Sequence, residues 1–223
     1  MKKYSLIMVL VIMSFVFANS QARANLVSTF NIDKEGWRVF NRAPGGVEGD
    51  LTEYVGSYQS LGGNPGGFFQ GADSGIGNTG FFVSPMNWAG NWSQYIGGTL
   101  QFDLKLIEFT GYSSLFSLYD VLIYTDATRY AYSKFGVDPQ LGSWTNYQLQ
   151  LIASNFDVVG GSFDSIMSNV AGLRIIGEFI YGPETVGLDN VMVSAVPEPS
   201  TMLLLGSGLI GLAGYGRKKL FKK

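Results

Sequence analysis

Thr99-Leu100-Gln101-Phe102-Asp103-Leu104-Lys105-Leu106 decides the fold class. Successive side chains of an extended chain point to opposite faces. Leu100, Phe102, Leu104 and Leu106 therefore share one side, and Gln101, Asp103 and Lys105 share the other. Such a strand buries one face and wets the other. The alternation recurs in Thr145, Tyr147, Leu149 and Leu151 against Asn146, Gln148 and Gln150. Working outward, strands are predicted over 37–41, 79–83, 119–125, 171–180 and 188–193, rich in β-branched and aromatic residues. Only 163–169, opened by Ser162 as an N-cap, reads as a short helix. Gly62-Gly63-Asn64-Pro65-Gly66-Gly67, Ala43-Pro44-Gly45-Gly46, Asp138-Pro139, Gly160-Gly161 and Tyr181-Gly182-Pro183 punctuate these runs as turns. Many strands and almost no helical pattern over 25–195 predict one antiparallel β-sandwich, with no internal repeat.

Composition narrows the chemistry. The 223 residues include 30 Gly, with 14% aromatic and 14% charged residues, and no His or Cys. Disulfides, thiolate metal sites, cysteine nucleophiles, imidazole bases and a Ser-His-Asp triad are thereby excluded. The formal net charge of −2 averages unlike parts. Residues 25–195 hold 7 basic and 16 acidic side chains, a net charge of −9, and the basic residues concentrate at the two ends. An acidic body repels phosphate backbones, so nucleic acid is not an expected partner.

Both ends read as addresses. Lys2 and Lys3 precede a 13-residue apolar run from Leu6 to Ala18, and Ala22-Arg23-Ala24 supplies a small-x-small cleavage pattern. This is a secretory signal over 1–24, with cleavage expected after Ala24 by signal peptidase. The run is too short for the roughly 20 residues of a membrane span. At the other end, 196–223 carries Pro197-Glu198-Pro199, an apolar segment over 201–216 and a basic end over 217–223. The prolines make a stiff, exposed spacer. The apolar segment is predicted as a C-terminal transmembrane helix, with the basic end cytoplasmic and the acidic body outside. A plain tail anchor and a sorting signal share these features.

Pro-Glu-Pro, a short Gly-rich apolar segment and a terminal basic cluster, in that order, resemble the PEP-CTERM sorting signal of Gram-negative bacteria. The resemblance implies that Pro197, Glu198 and Pro199 are recognised by an exosortase-type transpeptidase in an organism that makes exopolysaccharide. The chain would then be a membrane-anchored precursor and afterwards a cell-surface or extracellular protein. A second resemblance rests on Phe30-Asn31-Ile32-Asp33-Lys34-Glu35-Gly36-Trp37, Gly62 to Phe68, Tyr95 to Leu104, Ser168 to Glu178 and Gly187-Leu188-Asp189-Asn190-Val191. Together these are similar to a laminin B (laminin domain IV type A) module, although Asn155-Phe156 stands where relatives tend to have Gly-Trp. The resemblance implies a galactose-binding-like jelly roll without catalytic residues, the fold of many carbohydrate-binding modules.

Candidate site residues follow. Asp33 and Glu35 near the start of the domain, and Asp189 and Asn190 near its end, offer hard oxygens. A jelly roll can bring its first and last strands together, so a structural Ca²⁺ on these four residues is one expectation. The other is that Asp and Asn beside Gly simply form turns. Trp88, Trp92 and Tyr95 are expected to offer ring faces to a glycan, against the alternative that they pack the core. Trp144 is expected at the core or its edge. Glu178 is expected on a solvent face beside Arg174, and a Glu178/Asp189 glycosidase pair would need a fixed separation of carboxyls. Gly75-Ile76-Gly77-Asn78-Thr79-Gly80 matches a dinucleotide fingerprint in letters, but a strand-like, Pro-terminated run follows instead of a helix. The reading is a non-enzymatic, exported β-sandwich that binds exopolysaccharide or another matrix component. The alternative is a structural or adhesive protein with a protein partner, and a polysaccharide-acting enzyme is a distant third.

Overall fold

The computed structural model describes residues 24–42, 51–54, 56–73, 79–110, 119–196 and 207–208. Outside these lie Ala22, Pro197, Glu198, Pro199, most of the apolar segment and most of the glycine-rich fingerprint. Among the described residues no helix is long and apolar enough to cross a membrane. Asn25–Ala195 forms one compact unit.

The unit contains thirteen described strands in chain order: β1 (Leu26–Ser28), β2 (Arg38–Arg42), β3 (Leu51–Tyr54), β4 (Ser57–Gln59), β5 (Phe68–Asp73), β6 (Thr79–Val83), β7 (Thr99–Phe109), β8 (Val121–Asp126), β9 (Arg129–Ser133), β10 (Thr145–Gln150), β11 (Asp157–Val159), β12 (Gly172–Ile176) and β13 (Glu184–Ser194). The front sheet runs β10-β7-β13-β5-β4, with β1 also on β13; the back sheet runs β11-β9-β8-β12-β6-β2-β3. All the strand pairings are antiparallel. This is the expected two-sheet β-sandwich of jelly-roll type.

The alternation that predicts β7 is realised in its packing. Leu100, Phe102, Leu104 and Leu106 are buried in the core, as are Val186, Leu188, Val191 and Val193 of β13 beside them. The back sheet answers with Phe82, Ile123, Ala131, Leu173 and Ile175. Phe69 stacks on Phe30 at 6.0 Å between centroids and meets Phe82 edge-on at 5.7 Å, joining the first strand region to both sheets. Trp37 donates its indole N–H to Ser28 Oγ at 2.9 Å, satisfying a polar handle that burial would otherwise strand.

Some elements differ from expectation for identifiable reasons. β12 stops at Ile176, not 180, because carboxylates replace the ladder beyond it. Glu178 accepts the Gly80 N–H (2.6 Å) and Glu184 accepts the Phe179 N–H. Glu178 is therefore fully buried, 0% exposed, and is not the solvent-facing residue that alternation implied. β13 begins at Glu184, four residues earlier than predicted, because its first half pairs with both β5 and β7. The helix α1 (Phe163–Met167) is shorter than predicted and opens as expected on Ser162. Its Oγ accepts the Ser165 N–H, and Ser165 Oγ accepts the Ser162 N–H in return.

Phe69→Ala should destabilise the protein by about 3–5 kcal/mol, the usual cost of emptying a large aromatic site. Denaturant midpoints measure this; a loss below 1 kcal/mol would show that the Phe30–Phe69–Phe82 stack is not central to the core.

Candidate functional site

Burying one face of the front sheet leaves its alternate side chains in ordered rows outside. Gln148 lies opposite Gln101, which lies opposite Met192, which lies opposite Val27. In the next row Asn146 faces Asp103, and Asp103 faces Asp189. In the row beyond, Lys105 faces Gly187, and Gly187 faces Gln70. Gly187 is needed there: a Cβ would stand 2.9 Å from the Trp144 ring and 3.0 Å from Phe68. Those rings meet edge-to-face at 5.4 Å, and the Lys105 ammonium sits 4.5 Å from the centre of Trp144. Trp144 Nε1 and Lys105 Nζ both donate to the Gly62 carbonyl at 3.0 Å, fastening one end of the glycine-rich loop. Burial lowers the Lys105 pKa, and Asp189 partly offsets this.

The other end of the loop is fastened by carboxylates. Asp189 and Asp103 are 0% and 3% exposed. Asp189 Oδ2 accepts the Asn64 N–H at 2.6 Å and Oδ1 accepts the Asn190 N–H at 2.7 Å. Asp103 takes three side-chain amides: Asn146 at 2.7 Å, Asn190 at 2.8 Å and Asn64 at 3.1 Å. Asn190 Nδ2 also donates to the Asn64 carbonyl. Asn190 holds φ at 50°, a left-handed conformation that Asn tolerates better than most residues. Burial pushes the Asp189 carboxyl up from 3.8 to about 6; its two N–H donors oppose the rise, and Asp103 and Glu35 add to it.

Beside this knot a cleft of about 490 Å³ opens on the front face, lined by Val27, Thr29, Asn64, Gln101, Asp103, Asn146, Asn190 and Met192. Its chemistry is mixed: amides that donate and accept, one carboxylate already occupied by N–H groups, and an apolar floor from Val27 and Met192.

The expected site residues fall in different places. Trp88, Trp92 and Tyr95 are 4%, 2% and 3% exposed and pack in a chain behind Trp37. Their ring faces are closed to any ligand, which corrects the expectation that they form a stacking surface. Two consecutive 3₁₀ turns, Met86–Trp88 and Ser93–Tyr95, fold them inward, so a Trp-rich loop becomes core. Asp189 and Asn190 lie together at the cleft. Glu35 is close enough to raise Asp189 electrostatically, while its own Oε1 accepts the Thr29 and Phe30 N–H groups at 3.1 and 2.6 Å. Asp33 caps the Glu35 N–H at 2.6 Å. Both carboxylates thus accept N–H groups of the local turn, and among the described residues no group of three or more Asp and Glu side chains is placed to hold a metal ion. Glu178 bonds Gly80 in the back sheet, whereas Asp189 lies on the front face, so they share no reaction site. Sequence reasoning missed Asp103, Asn64, Asn146 and Gln101 as site residues. Their signal was present, because each sits on the polar phase of a strand or in the glycine-rich loop.

Comparison with known proteins bears on the C-terminal tail and on the fold. Residues 195–218 match the family described as PEP-CTERM protein-sorting motif. The motif marks an exported protein sorted to the cell surface by an exosortase. No curated protein is significantly similar to the chain. Among solved structures, the Family 11 carbohydrate-binding module from Clostridium thermocellum in complex with a β-1,3-1,4-mixed-linked tetrasaccharide is similar at TM-score 0.50 and 12% identity, covering 80% of this chain and 99% of that one. The L4b domain of human laminin alpha-2 is similar at TM-score 0.44 and 15% identity, covering 52% and 70%. The K1 cleaved adhesin domain of Lys-gingipain from Porphyromonas gingivalis W83 is similar at TM-score 0.41 and 14% identity, covering 78% and 100%.

Asp189 makes stability depend on pH. With its folded pKa raised to about 6 from 3.8, the native state retains a proton that the unfolded chain releases between those values. The contribution is fully present below the unfolded pKa and is lost as pH rises through the folded one. Thermal midpoints should therefore fall between about pH 4 and 6 through this group, and Asp189→Asn should flatten that part of the profile. An unchanged slope in the variant would assign the effect elsewhere.

Proposed function

We propose that this exported protein is a non-catalytic binding module whose front-sheet cleft takes a neutral polysaccharide, such as the exopolysaccharide of the matrix around the producing cell. The observation that carries the reading is the cleft's side-chain set. Sugar hydroxyls donate and accept at once, and the cleft presents amides that do the same, held in place by Asp103. Met192 and Val27 offer apolar surface for ring C–H faces, and Trp144 stands one row away. The fold similarity to a carbohydrate-binding module supports a binding role on a sandwich of this shape. Asp103 and Asp189 with one lysine nearby give the face a negative field, which disfavours uronates and other anionic sugars. The paired carboxylates are consumed by N–H donors, so neither is poised as a general acid or base toward the cleft.

The test is calorimetric titration of the purified protein with the producing bacterium's exopolysaccharide. Saturable heat is expected, weakened about tenfold or more by Gln101→Ala or Asn146→Ala. Trp88→Ala and Trp92→Ala should lower stability, not the affinity of the molecules that remain folded. Absence of heat from folded protein overturns the glycan reading, and the search moves to a protein partner.

A further inference from the structure

We propose that the front cleft is the first part of a longer track that turns around the free edge of β10 and continues onto the edge of the back sheet. This rests on the polysaccharide reading and extends it to an internal stretch of polymer instead of a chain end or a short sugar.

Three depressions share walls. Asn146 lines the front cleft and also a second groove of about 320 Å³, formed by the edge of β10 over Thr145 to Leu149 and the segment Lys134, Phe135 and Val137. Lys134 in turn lines a third depression of about 270 Å³ with Tyr132, Ser154, Asn155, Phe156 and Asp157. Among the described strands β10 ends the front sheet and pairs with β7 alone. Its outer backbone edge thus borders the second groove, and a strand edge alternates donors with acceptors. That alternation suits hydroxyls.

An extended peptide is the competing occupant of a strand edge. The far wall argues against it. Tyr147 donates its hydroxyl to the Val137 carbonyl at 3.0 Å, Phe135 packs on Tyr147 at 4.4 Å, and the Gln140 N–H bonds Thr145 Oγ1 at 3.1 Å. These contacts hold 135–140 against the Thr145 and Tyr147 side chains and narrow the space that a paired strand with its own side chains needs. What remains is a groove with a polar floor and one ammonium at its far end, open toward both neighbouring depressions.

The dimensions set the length requirement. Crossing from β1 to β10 takes three inter-strand steps, about 14 Å, and passing to the second sheet adds about 10 Å. A ligand must span roughly 25 Å to reach Lys134 and Asp157 from Val27.

The experiment titrates the full-length protein with size-fractionated oligosaccharides from the producer's exopolysaccharide, disaccharides upward, and with the intact polymer. Lys134→Ala and Asp157→Ala are measured beside wild type, with thermal midpoints confirming their folding. Wild-type affinity should keep rising beyond the length that fills the front cleft, by about tenfold. Both variants should lose that gain while binding short oligosaccharides like wild type. An affinity that is flat beyond the short ligands overturns the track and leaves the front-cleft reading intact. Equal losses for short and long ligands also overturn it. Absence of binding at every length overturns both readings. An extended peptide that binds the β10 edge and displaces the polymer assigns the groove to strand addition and overturns the track alone.

Discussion

β13 must serve three neighbours, and the front sheet is organised by how it does so. One of its edges pairs with β7 along nearly the whole strand. Its other edge belongs to β5 over Glu184 to Leu188 and to β1 over Val191 to Val193. Between those spans Asp189 and Asn190 stand where no described strand continues the ladder on that edge, and the register against β7 slips just beyond Asp189. Backbone groups left unpaired at a buried position are costly, so something must occupy the gap. The glycine-rich loop does, through the Asn64 N–H and carbonyl, and the side chains of Asp189, Asn190 and Asp103 bind it there. The knot that repairs the sheet thereby also builds one wall of the front cleft.

The same constraint places two carboxylates side by side in the buried part of the front sheet. Like charges opposite one another in a sheet repel, and burial raises the penalty for charging Asp189. Five N–H donors meet the pair, and the remaining electrostatic cost appears as the upward shift of Asp189. A charge held by backbone N–H groups is fixed in position more firmly than one held by a mobile lysine. Asp189 is held in this way, and Asp103 beside it accepts the Asn146 and Asn190 side-chain amides, which fixes both at the wall of the cleft.

Much of the fold was legible because β7 and β10 are half-buried strands, where the period of two is at its clearest. The predicted span 79–83 coincides with β6, and Ser162 caps α1 as its chemistry suggests. The three-residue strands β1, β4 and β11 were not legible, since so short a run has no period to read. Glu178 misled for a different reason. Alternation assumes a continuing ladder, and at Ile176 the ladder gives way to side-chain acceptors. At the site, Asp189 and Asn190 stood out as a pair near the end of the domain. Asp103 did not, because its role comes from lying opposite Asp189, a fact of register that no local pattern contains. Trp88 and Trp92 show the reverse error: a polar, glycine-containing surrounding suggested an exposed loop, whereas 3₁₀ turns rolled both indoles into the interior.

The placement of the large aromatics also bears on the strength of binding. Trp37, Trp88, Trp92 and Tyr95 are committed to the core, and Trp144 is partly engaged by Phe68 and Lys105. A glycan on the front face would thus be held mainly by hydrogen bonds that replace those to water, each worth about 1 kcal/mol net. Such contacts distinguish ligands by geometry more than they retain them. For a protein sorted to the cell surface this is sufficient on the binding-module reading, because a polymer presents the same sugar sequence many times. Copies displayed together can engage one chain, and the second contact then forms at the effective concentration set by the first. On that reading, weak individual sites with well-ordered amides would give reversible attachment along a polymer, whereas a deep aromatic clamp would fix each copy to one place.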